Sequence, residues 1–437
     1  MTLIDLGDVT HEQEAPPFPV DRRRVLRALL AALTVAGLVV LAGSAHAAPL
    51  GVRRLWTVTD FTEGDNFALG PDTLYVDRLE GGRDSVAAYD LATGAPRWIV
   101  GTGAESGGYG PALAGDTVLA QADPLRINRK DKDGNIYSFE RIGTTVALDA
   151  ASGRELWRAD GEARASAATG TALVTESDNE GRTIRLSLRR LRTGEEIWNH
   201  PTAALTDWTV LPDDGDPEMV VLVTPDGRTT VLRYADGRVL SDGRLPWPVR
   251  TNAALLWPVG RFLAVIRDVT DTDGTTTVYD PRTLRALWTA AYVSSCGPLL
   301  CSVEVRGVSG RDPVTGHERW NVFPGRDVRE VAGDRLAIST NVDEPTVQLV
   351  DARTGRALGP PVKGDIAYTT EVTDSVLLLR PSVKPVGSVV VVRLHLRDGS
   401  TDVLGSFTPA GEQQTCAANA RYLVCPRGDG LHVMAVG

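Results

Sequence analysis

The sequence predicts an all-β protein, a closed ring of about eight four-stranded sheets arranged as blades. Two observations predict it: a turn motif that returns about every forty residues, and a tryptophan four residues behind its glycine. Asp90-Leu-Ala-Thr-Gly-Ala-Pro-Arg-Trp98 comes back as Asp149-Ala-Ala-Ser-Gly-Arg-Glu-Leu-Trp157 and again as Asp312-Pro-Val-Thr-Gly-His-Glu-Arg-Trp320. Apolar alternation precedes the first two, in Ser85–Tyr89 and Thr144–Leu148, as expected of a strand entering the turn.

Each residue type in the motif has a physical role. The Asp carboxylate accepts hydrogen bonds from the N–H groups of its own turn, and the Thr or Ser hydroxyl does so more weakly. Glycine at 94, 153 and 316 supplies a positive φ without Cβ strain. The Trp falls on the outgoing strand, where a large ring fills space between packed sheets and its N–H finds a partner. Other copies are degraded: Gly194 and Trp198 remain where Arg190 replaces Asp, Asp280 and Trp288 where Leu284 replaces Gly, and Asp351 and Gly355 where Gly359 replaces Trp. Asp236-Gly237 and Asp398-Gly399 are shorter turns at the same point of the cycle. The turn glycines or their stand-ins lie at 94, 153, 194, 237, 284, 316, 355 and 399, with gaps of 59, 41, 43, 47, 32, 39 and 44 residues. Such a period, with several short strands per unit, is that of a β-propeller.

These repeats resemble the PQQ-like β-propeller family, over roughly residues 51–437. That family includes pyrroloquinoline-quinone dehydrogenases, the propeller lipoprotein of outer-membrane assembly and many bacterial extracytoplasmic propellers. The resemblance implies eight blades. Nine strand-turn units can be counted if Gly430–Val436 is included, so either one unit is incomplete or the strands are displaced by one. Trp56, on a strand-like Arg54–Val58, is expected to close the ring by pairing with Leu431–Val436, which removes the last exposed edge.

Three regions follow from composition. Residues 1–24 read as a polar, disordered cytoplasmic tail. Residues 25–48 read as a membrane anchor, because the run Ala28–Ala48 is uncharged and about 31 Å long as a helix. Arg22, Arg23, Arg24 and Arg27 place the tail in the cytoplasm and the propeller, 49–437, outside. A cleaved signal peptide is the alternative: Ala45-His-Ala47 fits the cleavage pattern, and the secreted propeller would follow. The formal net charge is −10 with no long Lys/Arg cluster in the propeller, which argues against nucleic acid as a partner.

Residues 124–142 lengthen the first gap. Asp131, Asp133 and Asn135 suggest a calcium loop, but the glycine falls at 134 and Ile142 stands where the closing Glu is required, so a polar hairpin is expected. Cys296 with Cys301, and Cys416 with Cys425, each fall within one short hairpin and read as disulfides; zinc would need different spacings. The histidines at 200, 317, 395 and 432 are scattered, and His432 reads as a packed strand residue. No nucleophile elbow, metalloprotease helix or phosphate loop is present in the sequence.

No cofactor or metal residue is assigned. The functional expectation is a non-catalytic, monomeric binding or scaffold module anchored in a bacterial cell envelope, its partner a protein or envelope polymer held on a propeller face. The resemblance also implies an alternative, a PQQ- and calcium-dependent dehydrogenase, although the adjacent cysteine pair of many such enzymes is missing here. A ligand-sensing ectodomain is the third reading.

Overall fold

The structure is a computed structural model. It describes residues 51–437 apart from 63–64, 81–82, 105–109, 131–135, 213–214, 248–253, 268–274, 341–344, 370–373, 384–385 and 409–415. The expected tail and anchor, 1–24 and 25–48, therefore lie outside the described residues, as do Asp131, Asp133 and Asn135. No helix among the described residues is long and apolar enough to cross a membrane.

Residues 50–437 form one unit of β-sheets. The third sheet shows the pattern: Glu162–Ser166, Thr171–Ser177, Thr183–Arg190 and Glu196–Leu205 pair antiparallel in chain order. The first strands of neighbouring sheets approach one another, so they line the axis and the fourth strands form the rim. Because neighbours pack on both faces, the second strands read as continuous apolar runs rather than alternating ones. Met219–Val223 is buried throughout. Its Val220 and Leu222 meet Leu173, Leu186 and Leu188 of the third sheet, while Met219, Val221 and Val223 meet Leu256, Leu263 and Val265 of the fifth. Each fully buried Leu or Val in these wedges contributes about 1.5–3 kcal/mol.

Nine such sheets are present among the described residues, not eight. Nine apolar wedges separate them, and the last joins the ninth sheet to the first through Val424, Leu431 and Val433 against Leu69, Leu74 and Val76. The ring is thereby closed. The expected pairing of its two ends is present: Arg53–Val58 lies antiparallel to Gly430–Ala435, with Trp56 opposite Val433 and Val58 opposite Leu431. The ninth sheet has a further strand at its inner edge, where Tyr368–Thr369 pairs parallel with Ala417–Ala418.

The antiparallel order assigns every connection to a face. Turns between third and fourth strands, which include all the Asp-Thr-Gly turns, lie on one face, here the turn face. Connections between second and third strands, and between successive sheets, lie on the other.

Candidate binding surfaces

The repeat residues come together as latches between sheets. Asp90 Oδ1 accepts from the N–H groups of Ala92 (3.1 Å) and Thr93 (3.0 Å) and from the Thr93 hydroxyl (2.8 Å). Asp312 and Asp351 repeat the arrangement with Thr315 and Thr354, and Asp149 with Ser152. Gly94 closes the turn at φ 74°, Gly153 at 71°, Gly194 at 69°, Gly316 at 69° and Gly355 at 66°.

The tryptophans do not act on their own turns. Each reaches across to the turn of the following sheet. Trp98 Nε1 donates to Ala150 O (3.1 Å), Trp157 to Leu191 O (2.7 Å), Trp198 to Tyr234 O (2.7 Å), Trp288 to Pro313 O (2.9 Å) and Trp320 to Ala352 O (2.9 Å). Trp56 does the same from the closing strand to Leu91 O (2.9 Å). The acceptor is always the residue after the turn's first position. The Trp then packs against the turn glycine: a Cβ at Gly194 would sit 2.6 Å from Trp157, and one at Gly153 2.6 Å from Trp98. Glycine is thus required twice, for its φ and for the ring above it.

Where the Trp is missing, the next turn has changed with it. In the fourth sheet Ser241 stands in the Trp position and donates to Pro281 O (3.1 Å). No ring covers the fifth turn, so Leu284 holds the glycine position at φ 55° and packs against Gly243. In the seventh sheet Gly359 lets backbone lie on Gly399, where a Cβ would meet Leu358 O.

The turn carboxylates are also ion-paired. Arg97 donates to Asp90 Oδ2 (2.8 Å) and Arg319 to Asp312 Oδ2 (2.9 Å), each from the residue before its Trp. Leu156 holds that place in the second sheet, and Arg192 of the third sheet reaches Asp149 instead (2.9 Å). Arg97 and Thr93 hold the Asp90 carboxyl down to about 2, and Ser152 and Arg192 hold Asp149 down to about 2. Arg319 and Thr315 lower Asp312 further. These carboxylates are structural.

On the opposite face, the expected polar hairpin is present as Leu125–Lys130 paired with Ile136–Arg141. It interrupts the second sheet between its second and third strands and is fixed to the ring. Ile127 is fully buried, and Ile127 with Phe139 lies against Gly181 in the adjacent connection of the third sheet. At the axis, Arg164 stacks over Trp208 (4.9 Å). Beside it Asp207 accepts from the N–H groups of Leu256 (2.7 Å) and Trp208 (2.8 Å), and burial pushes its carboxyl up to about 6.

The cysteines pair as expected, Cys296 with Cys301 and Cys416 with Cys425, at Cα separations of 5.4 and 4.4 Å. His432 is buried; its Nε2–H donates to Asp429 (2.8 Å), and burial lowers its pKa. Among the described residues, no three His, Cys, Asp or Glu side chains gather as a metal site would require. A cavity of ≈ 10 Å³ between the eighth and ninth sheets, bounded by Thr369, Arg393 and Asn419, has room for no more than about one water.

The family model described as "Outer membrane protein assembly factor BamB" matches residues 82–256. No curated protein matches the chain. Among solved structures, the chain is similar to BamB from Moraxella catarrhalis at 13% identity, covering 88% of this chain and 100% of that one, with a TM-score of 0.41. It is similar to a europium-containing methanol dehydrogenase at 14% identity over 87% and 85% of the two chains, TM-score 0.41. A eukaryotic initiation factor matches at 10% identity over 77% and 87%, TM-score 0.51. The turns at 90–98 and 149–157 both lie within the matched residues, and over 82–256 the match supports a PQQ-like β-propeller repeat.

Proposed function

We propose that this protein is a non-catalytic binding module, anchored in the cell envelope by residues 25–48, that holds a protein partner on the face opposite its turns. One observation carries the reading. The hairpin at 125–141 is an addition to the repeat, and its buried Ile127 fixes it to that face rather than leaving it as a loose loop. A projection whose strands are anchored to the ring presents contact residues at little ordering cost on binding. The matching family model, whose description is an assembly factor, supports the same class of role.

The test is partner capture from envelope extracts by full-length protein, compared with a variant in which residues 125–141 are replaced by a short Gly-Ser turn. Wild type is expected to retain a discrete partner that the variant loses. Equal capture by both would count against the hairpin as a contact surface. Titration with PQQ plus calcium, followed by Trp fluorescence, is expected to give no saturable quenching. Quenching that a chelator abolishes would restore the dehydrogenase reading.

A further inference from the structure

One corner of the sixth sheet is not explained by the fold. The hairpin turn Val305-Arg306 joins Leu299–Glu304 to Gly307–Arg311, and the loop 323–326 leaves Glu318–Val322 for the seventh sheet. Both lie on the face opposite the turns. Their strand ends adjoin: a Cβ at Gly307, directly after the turn, would meet Val322 O and lie 3.3 Å from the Cα of Phe323, which opens the loop. Val305 is 99% exposed and Phe323 74%.

Neither side chain fills a core. The wedge here is completed by Val308, Trp320, Leu336 and Ile338 without them. Two-residue hairpins favour Asn, Asp and Gly, and a β-branched apolar residue at the tip contributes nothing to the turn. Arg306 and Arg326 flank the pair, both exposed. Neither has an ion-pair partner among the described residues, whereas Arg311 and Arg319 of the same sheet hold Glu304 and Asp312 at 2.9 Å. An apolar pair rimmed by uncommitted guanidinium groups, on a chain of net charge −10, is complementary to an anionic amphipathic surface.

We propose that the Val305–Phe323 corner docks a segment of a partner protein in which an apolar side chain is flanked by carboxylates. The apolar group would cover Val305 and Phe323, and the carboxylates would take Arg306 and Arg326. A protein is favoured over anionic lipid because only two arginines rim the apolar pair, whereas recognition of anionic lipid headgroups draws on clusters of about 4–8 Lys or Arg. The proposal rests on the binding-module reading and names a second contact for it.

The probe is a labelled synthetic peptide with a Leu-Phe centre flanked by Asp and Glu, read by fluorescence anisotropy against full-length protein in phosphatidylcholine nanodiscs. Its affinity is expected to fall about tenfold or more in Val305→Ser/Phe323→Ser and in Arg306→Gln/Arg326→Gln. Val314→Ser, at an exposed turn-face position of the same sheet, is expected to change nothing. Absence of peptide binding, or equal binding by all variants, would overturn the proposal. So would co-sedimentation of wild type with phosphatidylglycerol vesicles in place of peptide binding. Partner capture that survives Val305→Ser/Phe323→Ser but is lost on hairpin replacement would overturn the corner and leave the binding module standing.

Discussion

Trp157 illustrates what one residue does for the ring. It is 8% exposed, donates to Leu191 O and covers Gly194, so it belongs energetically to two sheets at once. Trp157→Ala is expected to cost about 3–5 kcal/mol, read as a lower denaturant midpoint. Gly194→Ala is expected to cost more than about 1 kcal/mol, because φ is 69° and the new Cβ would meet the ring. The changed fourth-to-fifth junction gives a sharper test. Ser241→Trp alone is expected to destabilise, since Leu284 fills the space the ring needs. Paired with Leu284→Gly it should be tolerated, with a coupling of about 1–3 kcal/mol in a double-mutant cycle. The carboxylates set the acid response. Asp90 and Asp149 have folded pKa values of about 2, below the unfolded value of about 3.9, so their stabilisation is full above pH 4 and is lost as pH falls towards 2. Asp207 has the opposite sign: with its folded pKa raised to about 6, it favours the folded state increasingly as pH falls from 6 to 4. Buried His432, whose pKa is lowered, opposes it from about pH 6.5 downward. Asn mimics the neutral carboxyl, so Asp207→Asn is expected to have a higher thermal midpoint than wild type at pH 7, with the gap narrowing at pH 4.5. A gap that does not change with pH would remove that role.

At the scale of elements, the turn, the strand after it and both disulfides were legible, because each is fixed by residues close in sequence. Asp90, Thr93 and Gly94 specify their turn locally, and Cys416 is only nine residues from Cys425. The destination of each Trp was not legible. Trp98 meets Ala150 fifty-two residues on, and nothing local to either residue announces the pair. The signal that could have found it is the paired loss of Trp at 241 and Gly at 284. Arg97 and Arg319 stand inside the repeat motifs, yet their bond back to the turn Asp is visible only when strand geometry places residue seven over residue zero. For the disulfides, replacing Cys416 and Cys425 by Ser is expected to cost about 2–3 kcal/mol, the loop-closure value for so short a ring, measured by chemical denaturation with and without reductant. The projecting hairpin was legible as an insertion, but its attachment through Ile127 to Gly181 depends on the neighbouring sheet and was not.

For the whole molecule, the nine strand-turn units counted with Gly430–Val436 match the nine sheets, and the eight blades implied by the resemblance fall one short for a physical reason. Eight positions carry a turn between third and fourth strands, and eight blades were expected. The ninth sheet has no such turn, because its fourth strand is Arg53–Val58 from the other end of the chain. Closure by that strand fixes which sheets are neighbours and where both faces lie, so the functional reading depends on it. The direct measurement is native-state hydrogen exchange over Arg53–Val58 in the full-length protein. Amides of this strand that bond to Gly430–Ala435 are expected to be as protected as those of Met219–Val223, and truncation before residue 59 should release protection in the ninth and first sheets together. Exchange of Arg53–Val58 within seconds, with Met219–Val223 protected, would contradict a ring closed by its two ends.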